Sequence, residues 1–237
     1  MPNSVTSAIT FRFGGMSSSS FGSNNLATHV GDDPRSVASN RRNLLAHIGG
    51  IKSPLWLNQV HGTSIVDADE CQDGIMADGS YSRKRGRVCL VMTADCVPIL
   101  LCNRRGDQVA AVHAGWKGLS KGIISRAVSL FRDPSQVLVY LGPAIGADAY
   151  EVDEHVRTAF LDVVDERNYV DRLAQAFKPK KDRFTLDLRE LAKIQFSQLG
   201  VHSVYGDNRC TFSDEKSFFS YRRDTITGRN ASMIWLR

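Results

Sequence analysis

The segment Val88-Cys-Leu-Val-Met-Thr93-Ala-Asp-Cys96-Val-Pro-Ile-Leu-Leu101, with Val109-Ala-Ala-Val-His113-Ala-Gly-Trp-Lys-Gly118 after it, decides the fold. It contains three runs of β-branched and apolar residues separated by polar or glycine residues. Short apolar runs with such punctuation predict β-strands. Because these strands follow one another directly, while strands and helices alternate elsewhere, we expect an α/β protein. A mixed sheet or two sheets with helices outside fit this order better than a purely parallel, doubly wound sheet.

Apolar runs, periodicity and turn residues place the remaining elements along the chain. Strands are predicted at residues 8–13, 55–60, 88–93, 97–101, 109–113, 137–141, 201–205 and 231–236, with a further short one at 218–221. Helices are predicted at residues 35–48, 118–131, 153–164 and 188–199. Asp187 before the last helix and Gly200 after it are typical of helix ends.

The length and composition predict one ordinary globular domain over residues 1–237. No low-complexity linker, charge block or internal repeat divides the chain, and the hydrophobic and charged fractions are 42% and 23%. The net charge of +5 is too mild to indicate a nucleic-acid partner. No apolar stretch is long enough for a membrane helix. We therefore expect a small-molecule substrate, no nucleic-acid or membrane partner, and a monomer or weak homodimer.

The cysteines and the N-terminus predict a cytoplasmic location. The first residues lack the basic and apolar regions of a secretory signal. Five cysteines are an odd number, and no two form a C-x-x-C pair. Free thiols in a reducing compartment are the better interpretation.

Two imidazoles and one thiol stand where apolar segments give way to glycine or polar residues. Cys96 follows a predicted strand, His113 ends another, and His61 ends the segment Trp56-Leu-Asn-Gln-Val-His61. Two histidines and one cysteine suit zinc, and three protein ligands leave a fourth position for water or substrate. The sequence therefore predicts a catalytic metal site. A free Cys96 acting as nucleophile with a histidine base is the competing interpretation.

The turn after His113 predicts an anion site beside the metal. Gly115 and Gly118 in a strand-to-helix turn present backbone N–H groups to anions, and Lys117 adds a positive charge. The glycine spacing fits neither a P-loop nor a dinucleotide fingerprint. The zinc-deaminase signature of nucleic-acid enzymes, with H-x-E and C-x-x-C, is also absent, as is H-E-x-x-H.

Motifs along almost the whole chain together resemble the laccase-domain family, whose members are also called multicopper polyphenol oxidases or purine nucleoside phosphorylase-type proteins. The matching stretches are Phe13-Gly-Gly, His29-Val-Gly-Asp-Asp33, Asn40-Arg41, Gln59-Val-His61-Gly-Thr63, Ala77-Asp-Gly79, Thr93-Ala-Asp-Cys96-Val-Pro98, His113-Ala-Gly-Trp-Lys-Gly118, Leu141-Gly-Pro-Ala-Ile-Gly146, Tyr150-Glu-Val152 and Phe219-Ser-Tyr-Arg-Arg-Asp224 with Thr227-Gly-Arg229. The stretch containing Asn25 is an altered version of the family pattern, and Lys117 stands where arginine is expected.

The resemblance implies a single domain with paired sheets between outer helices, in α-β-β-α layers that resemble the cysteine-hydrolase fold. It implies zinc, or possible copper, at His61, Cys96 and His113. It also implies phosphorolysis of adenosine, inosine, guanosine or methylthioadenosine, together with adenosine deamination. The predicted substrate and phosphate contacts are Asn25, Arg41, Gln59, Gly115, Lys117, Gly118, Arg222, Arg223 and Arg229. Asp95 is expected to orient a ligand or exchange a proton.

Three functions remain open at this point. The first is the zinc-dependent phosphorylase, and the second is a metal-free Cys–His amidase that edits peptidoglycan precursors. The third is a non-enzymatic partner that retains the fold. A laccase needs several coppers, each with multiple imidazoles, which six dispersed histidines cannot supply. Copper-dependent polyphenol oxidase activity is therefore expected to be adventitious, with copper displacing zinc at one site.

Overall fold

Strands dominate the centre of the molecule. In the computed structural model, which describes residues 1–49, 54–162 and 166–237, the strands are β1 (Val5–Ile9), β2 (Ile65–Asp67), β3 (Gly79–Ser82), β4 (Val88–Thr93), β5 (Val97–Asn103), β6 (Val109–Ala114), β7 (Val137–Leu141), β8 (Glu151–Val152), β9 (Phe177–Lys180), β10 (Arg183–Leu186), β11 (Ser203–Gly206) and β12 (Asn230–Leu236).

These strands form three sheets. The largest has the order β11-β7-β5-β6-β3-β2, with parallel pairs at both edges and antiparallel pairs between them. The second is antiparallel, with the order β1-β12-β4. The third is small, with the order β8-β10-β9. The predicted mixed sheets are thus confirmed.

The helices lie outside the sheets. They are α1 (Pro34–Ile48), α2 (Trp116–Ser120), α3 (Ile123–Val128), α4 (Glu154–Leu161), α5 (Arg167–Ala174), α6 (Leu188–Gln198) and α7 (Tyr221–Asp224). Helix α1 begins where the Asp33 carboxylate accepts hydrogen bonds from the backbone of Arg35 and Ser36. The predicted N-cap of α6 is confirmed, because Asp187 accepts from Arg189 and Glu190 in the same way. None of the helices within the described residues is long and apolar enough to cross a membrane.

The core consists of three apolar layers, which match the expected α-β-β-α order. On one face of the large sheet, Ile99 and Leu101 of β5 pack in a buried cluster with residues of α2, α3 and α6. On the other face, Leu100 and Cys102 pack with residues of β4 and β12 in the second sheet. Beyond the second sheet, a third cluster contains Trp235 and the partly buried Leu44 and Ile48 of α1. Because β5 is covered on both faces, its sequence is a continuous apolar run.

The strand order also places the functional segments. Strands β5 and β3 both pair with β6 in an antiparallel manner, so both begin beside the place where β6 ends. Pro98 of β5 lies opposite His113, and Gly79 of β3 lies opposite Val112. The residues just before β5 and β3 therefore meet the end of β6 at one edge of the sheet.

Two predicted elements are wrong for identifiable reasons. Residues 55–60 do not form a strand, because they make only single bridges at Leu55 and Asn58, and Trp56 N donates to the side chain of Asp73. The single helix predicted at 118–131 is broken into α2 and α3 at Gly122, whose φ is +86°. A left-handed residue cannot continue an α-helix, and glycine adopts this conformation without strain.

Other boundaries shift by a few residues. The first strand is β1 rather than residues 8–13, and residues 218–221 lead into α7 instead of forming a strand. Helix α4 ends at Leu161, and the last two residues of the predicted helix 153–164 lie outside the described residues. The predicted strands 88–93 and 137–141 are confirmed as β4 and β7.

Candidate functional site

The structure brings His61, Cys96 and His113 together. One donor atom from each residue lies within 4.8 Å of the other two, and Cys96 Sγ is 3.9 Å from His61 Nε2. The imidazole rings of His61 and His113 meet edge to face, with centroids 4.7 Å apart. His61 is exposed, Cys96 is half-buried and His113 is buried. The three donors therefore form a cluster that is reachable from solvent on one side.

A buried carboxylate, Asp78, orients two of these residues. Its Oδ1 is 2.8 Å from His113 Nδ1 and accepts a hydrogen bond of 2.9 Å from the backbone N–H of His61. Its Oδ2 accepts from the backbone N–H groups of Gly62 and Val60 at 2.6 and 3.3 Å. The Asp78 side chain is fully buried. With Nδ1 of His113 engaged by a carboxylate, Nε2 is left to face the cluster.

The backbone next to the cluster is restricted at two positions, His61 and Gly115. His61 has a φ of +57°, a left-handed conformation that is uncommon for a residue with a side chain. A Cβ atom at Gly115 would lie 2.8 Å from Cys96 Sγ and 3.1 Å from the ring of His61. Gly115 therefore matters because any side chain at this position would displace two of the three donors.

The cluster is charged in the absence of a metal. Burial raises the pKa of the Cys96 thiol, but the charge of His113 and hydrogen bonds from His113 and His61 outweigh it and lower the pKa to about 6. Burial likewise lowers the pKa of His113, yet the facing Cys96 thiolate and the Asp78 carboxylate raise it to about 9. Both shifts favour a thiolate at Cys96 paired with an imidazolium at His113.

The donor set fits a zinc ion. Tetrahedral zinc with ordinary Zn–N and Zn–S bonds has ligand atoms about 3.3–3.6 Å apart. Cys96 Sγ and His61 Nε2, 3.9 Å apart, are slightly wider than this, and all three donors lie within 4.8 Å of one another, so small side-chain movements would bring them into range. A thiolate and a histidine held by a carboxylate are typical of zinc centres. Within the described ranges, this is the single group of three histidine, cysteine or acidic residues close enough to hold a metal ion.

A cleft of about 570 Å³ opens over the cluster. Besides the three donors, its walls include the cationic side chains of Lys117, Arg222 and Arg229. Arg222 Nη1 donates to the backbone oxygen of Glu151, and Arg229 Nη1 donates to the backbone oxygens of Thr227 and Gly228. These bonds hold both guanidinium groups in place at the cleft wall. Three cations in a concave site favour an anionic ligand.

Aromatic rings line the same cleft. Tyr150, Trp116 and Tyr221 are part of its walls. The guanidinium of Arg222 lies 4.9 Å from the centre of the Tyr150 ring, and that of Arg229 lies 5.9 Å from the Tyr221 ring. Aromatic faces next to cations suit a ligand with a planar ring and an anionic group.

Several of the predicted contact residues lie elsewhere. Arg223 donates to the backbone oxygens of Thr211, Phe212 and Phe218 and pairs with Asp224, and it is not part of the cleft wall. Arg41 packs over the Trp56 ring at 3.6 Å and donates to Leu26, also away from the cleft. Both side chains serve the fold, so the prediction that they contact phosphate has no geometric support.

Of the other predicted contact residues, some line the cleft and some are buried outside its walls. Gln59 lines the cleft, but its amide is engaged on both sides by the backbone of Met92. Asn25 is fully buried and accepts from the backbone N–H of Arg229 and Ala27. Gly118 is buried beneath the turn, where a Cβ would lie 3.1 Å from the backbone oxygen of Gly62. Of these three residues, Gln59 alone lines the cleft, and its amide is already engaged by the backbone.

Asp95 lies in the cleft wall next to Cys96, but both of its carboxylate oxygens have partners. Oδ1 accepts from the Thr211 hydroxyl and Oδ2 from the backbone N–H of Arg222, each at 2.7 Å. Its φ of +95° is unusual for a non-glycine residue. This geometry joins the loop before β5 to the start of α7, and it suits positioning of Arg222 better than proton exchange.

Sequence reasoning missed several residues of the site. Asp78 received no role, although it stands at the junction of β3 and the loop that carries His61. His29 likewise received no role, yet it lines the cleft. Tyr150, Trp116 and Tyr221 also went unassigned. The signal for Asp78 was present in the sequence, because an aspartate directly before a strand glycine is placed to accept from a neighbouring turn.

The fold and site together define an α/β protein with a candidate catalytic metal centre in a cationic cleft. The sequence model of the multi-copper polyphenol oxidoreductase laccase family matches residues 6–237. The chain therefore belongs to this family, which confirms the resemblance noted in its motifs.

Similar proteins carry a different activity in their names. The chain is 44% identical to purine nucleoside phosphorylase YfiH of Escherichia coli (strain K12), over 99% of this chain and 95% of the relative. Among solved structures, Neisseria meningitidis protein NMB0706 has a TM-score of 0.92 and 42% identity, over 99% of this chain and 95% of that one. YlmD from Geobacillus stearothermophilus has a TM-score of 0.90 and 31% identity, over 99% and 93%.

Asp78→Asn should weaken metal binding by about 10–100-fold. The asparagine amide replaces the carboxylate that holds His113 and the turn at His61, and its oxygen is a weaker acceptor while its nitrogen does not accept at all. Competition with a chromogenic chelator measures the affinity. Asp148→Asn, at an exposed position, is the matched control. Equal zinc affinity in the Asp78→Asn variant and the wild type would contradict the orienting role.

Alkylation of Cys96 in chelator-treated protein should rise with pH through a midpoint near its pKa of about 6 and then level off. Cys89 and Cys102 provide internal controls, since burial raises their pKa values to about 12 and 11. Mass spectrometry of the three peptides gives the rates. Added zinc should suppress modification of Cys96, and unchanged modification would argue against ligation by its sulfur.

Proposed function

We propose that the chain is a zinc-dependent purine nucleoside phosphorylase that cleaves adenosine, inosine, guanosine and methylthioadenosine. The observation that carries this proposal is the cleft, in which an open set of three metal ligands faces fixed cations and aromatic rings. Phosphate, ribose and purine differ in chemistry, and the walls offer a matching surface for each. The name of the Escherichia coli relative supports the same activity.

His61, Cys96 and His113 would hold the metal. A bound zinc ion would supply a Lewis acid that polarises an oxygen ligand in the cleft. Asp78 fixes His113 and the backbone of His61, so that the site keeps its shape before substrate arrives. His61, Cys96 and His113 together leave one side of the cluster to the cleft, where substrate enters.

Arg222, Arg229 and Lys117 would bind phosphate. In phosphorolysis, a phosphate oxygen bonds to the anomeric carbon of ribose, the bond from this carbon to purine N9 breaks, and the purine leaves with a proton. Fixed guanidinium groups hold a phosphate in one orientation and so favour attack from one direction. The aromatic faces of Tyr150, Trp116 and Tyr221 offer stacking surfaces for the purine.

We further propose adenosine deamination in the same cleft, where water replaces the amino group at purine C6 and ammonia leaves. The same stacking surfaces would hold adenosine for either reaction. Copper-dependent oxidation of polyphenols would be adventitious at most, because a laccase needs several copper centres and the described residues form one candidate metal group. The free cysteines support a reducing, cytoplasmic location.

One observation favours a second candidate, a metal-free Cys–His amidase. Cys96, His113 and Asp78 stand in the order of nucleophile, base and orienting acid, and the thiol has a lowered pKa. Such an enzyme would attack a carbonyl carbon through the Cys96 sulfur and release an amine. The two candidates differ in whether chelation removes the activity or unmasks it.

Cys96→Ala and His113→Ala should each abolish phosphorolysis and lower bound zinc, while the protein stays folded. Product analysis by mass spectrometry, metal analysis and circular dichroism measure the three properties. Cys71→Ala, which removes a half-buried thiol outside the cleft, is the control. Phosphorolysis that survives in either donor variant would refute the metal assignment. Activity on cell-wall peptides that increases on chelation would favour the amidase.

Arg229→Gln and Arg223→Gln should have different effects. Arg229→Gln should raise the KM for phosphate by about tenfold or more, because it removes a charge-assisted contact in the cleft. Arg223→Gln should instead lower the free energy of unfolding by about 2 kcal/mol or more, since it leaves three backbone oxygens without their donor. Steady-state kinetics and urea unfolding test the pair. The same change of phosphate KM in both variants would contradict the division.

A further inference from the structure

A further imidazole, that of His29, faces the cleft. It lies in the segment between the short 3-10 turn Ser19–Phe21 and helix α1, and it lines the same cavity as the three metal donors. This segment is fixed to the loop before β12, because the Asn25 side chain accepts from the backbone N–H groups of Arg229 and Ala27. His29 is therefore presented by a structured loop, separate from the sheet edge that carries the cluster.

Phosphorolysis needs a proton donor for the leaving purine, and the metal cluster does not supply one. When the bond between the anomeric carbon and N9 breaks, the purine takes both electrons and becomes an anion unless a proton arrives. A positioned acid with a pKa near the working pH accelerates such a step by about 10²–10⁴-fold. The cleft should therefore contain a group that can release a proton close to neutral pH.

Several other titratable groups in the described walls are engaged in other roles. Cys96 and its two histidine partners are committed to the metal in the proposed function. Asp95 accepts a hydrogen bond at each oxygen. The pKa of Tyr150 is raised, first by burial and then by the charge of Cys96. Lys117 and the two arginines are the phosphate contacts of the proposed function.

We propose that His29 is the general acid that protonates the leaving purine, an inference that rests on the proposed phosphorylase function. The imidazolium donates its proton to N7 of the purine as the bond to the ribose breaks. The proton that hydrogen phosphate loses when its oxygen bonds to the anomeric carbon then restores the imidazolium through solvent. Protons and charge balance over one turnover.

His29 is exposed, and its surroundings make its imidazolium a stronger acid than a free imidazolium. The charges of two cations act on it, those of Arg229 from the loop before β12 and of Arg41 from helix α1. The nearby acids of its own segment are engaged, because Asp32 accepts from Ser17 and Asn25, and Asp33 caps helix α1. Burial, and then the charges of Arg229 and Arg41, lower the pKa of His29 from its ordinary value of 6.5. The rate on ordinary nucleosides should accordingly fall as pH rises through this lowered pKa.

The decisive experiment compares two substrates with His29→Gln. Guanosine requires protonation of its leaving base, whereas 7-methylguanosine carries a cationic base that leaves without it. We expect His29→Gln to lower kcat on guanosine by about 100-fold and to change kcat on 7-methylguanosine by less than about threefold. The fall of rate with rising pH that wild type shows on guanosine should disappear in the variant.

His202→Gln, which replaces an exposed histidine outside the cleft, is the matched control and should behave as wild type. Zinc content and thermal unfolding establish that His29→Gln is intact, and added imidazole should partly restore guanosine cleavage in His29→Ala. Equal losses on both substrates, or no loss on guanosine, would overturn the role of His29 and leave the phosphorylase standing. A wild type without phosphorolysis on either substrate would overturn both.

Discussion

The buried carboxylate of Asp78 is the constraint on which the site depends. A charge without solvent is costly unless its oxygens are fully hydrogen-bonded, and this one accepts from the His113 ring and from the backbone at residues 60–62. These partners also hold His61 in its left-handed conformation. The same interaction therefore satisfies the buried charge, fixes the backbone strain at His61 and aims two of the three donors. The carboxylate cannot relax without moving the cluster.

The layered fold divides the cleft between two groups of elements. The donors come from one edge of the large sheet, where β5 and β3 begin beside the end of β6. The cationic wall comes from α7 and the loop before β12, which are joined to the donor side through Asp95. Asp95 thus sets the distance between Cys96 and Arg222 through a hydrogen bond of its carboxylate, because no strand connects the two residues directly. The cationic wall is therefore coupled to the donors by Asp95 and by the pairing of β12 with β4.

The sequence predicted the parts of the site that depend on neighbouring strands. Cys96 and His113 converge because β5 and β6 pair directly, and short apolar runs indicate this pairing. His61 was assigned from its place after the strand predicted at residues 55–60, but it follows an irregular loop, so strand pairing did not determine its position. Arg223 and Arg229 look alike in the sequence, and both guanidinium groups donate to backbone oxygens. Of the two, Arg229 alone also lines the cleft, a difference made by contacts between distant segments. His29 received no predicted role for the same reason, since its charged neighbour Arg229 is far away along the chain.

One cluster can support either a metal ligand or a nucleophile because both require a thiolate. The imidazolium of His113 stabilises the Cys96 thiolate when no metal is present, and a zinc ion would take over that charge compensation. Metal binding then requires His113 to release its Nε2 proton, so the two states compete for the same nitrogen. Asp78 favours a cationic His113 and yet also orients the neutral ring toward a metal. Which chemistry the cluster performs is therefore decided by whether His113 Nε2 carries a proton or binds a metal ion, and not by the identity of the residues.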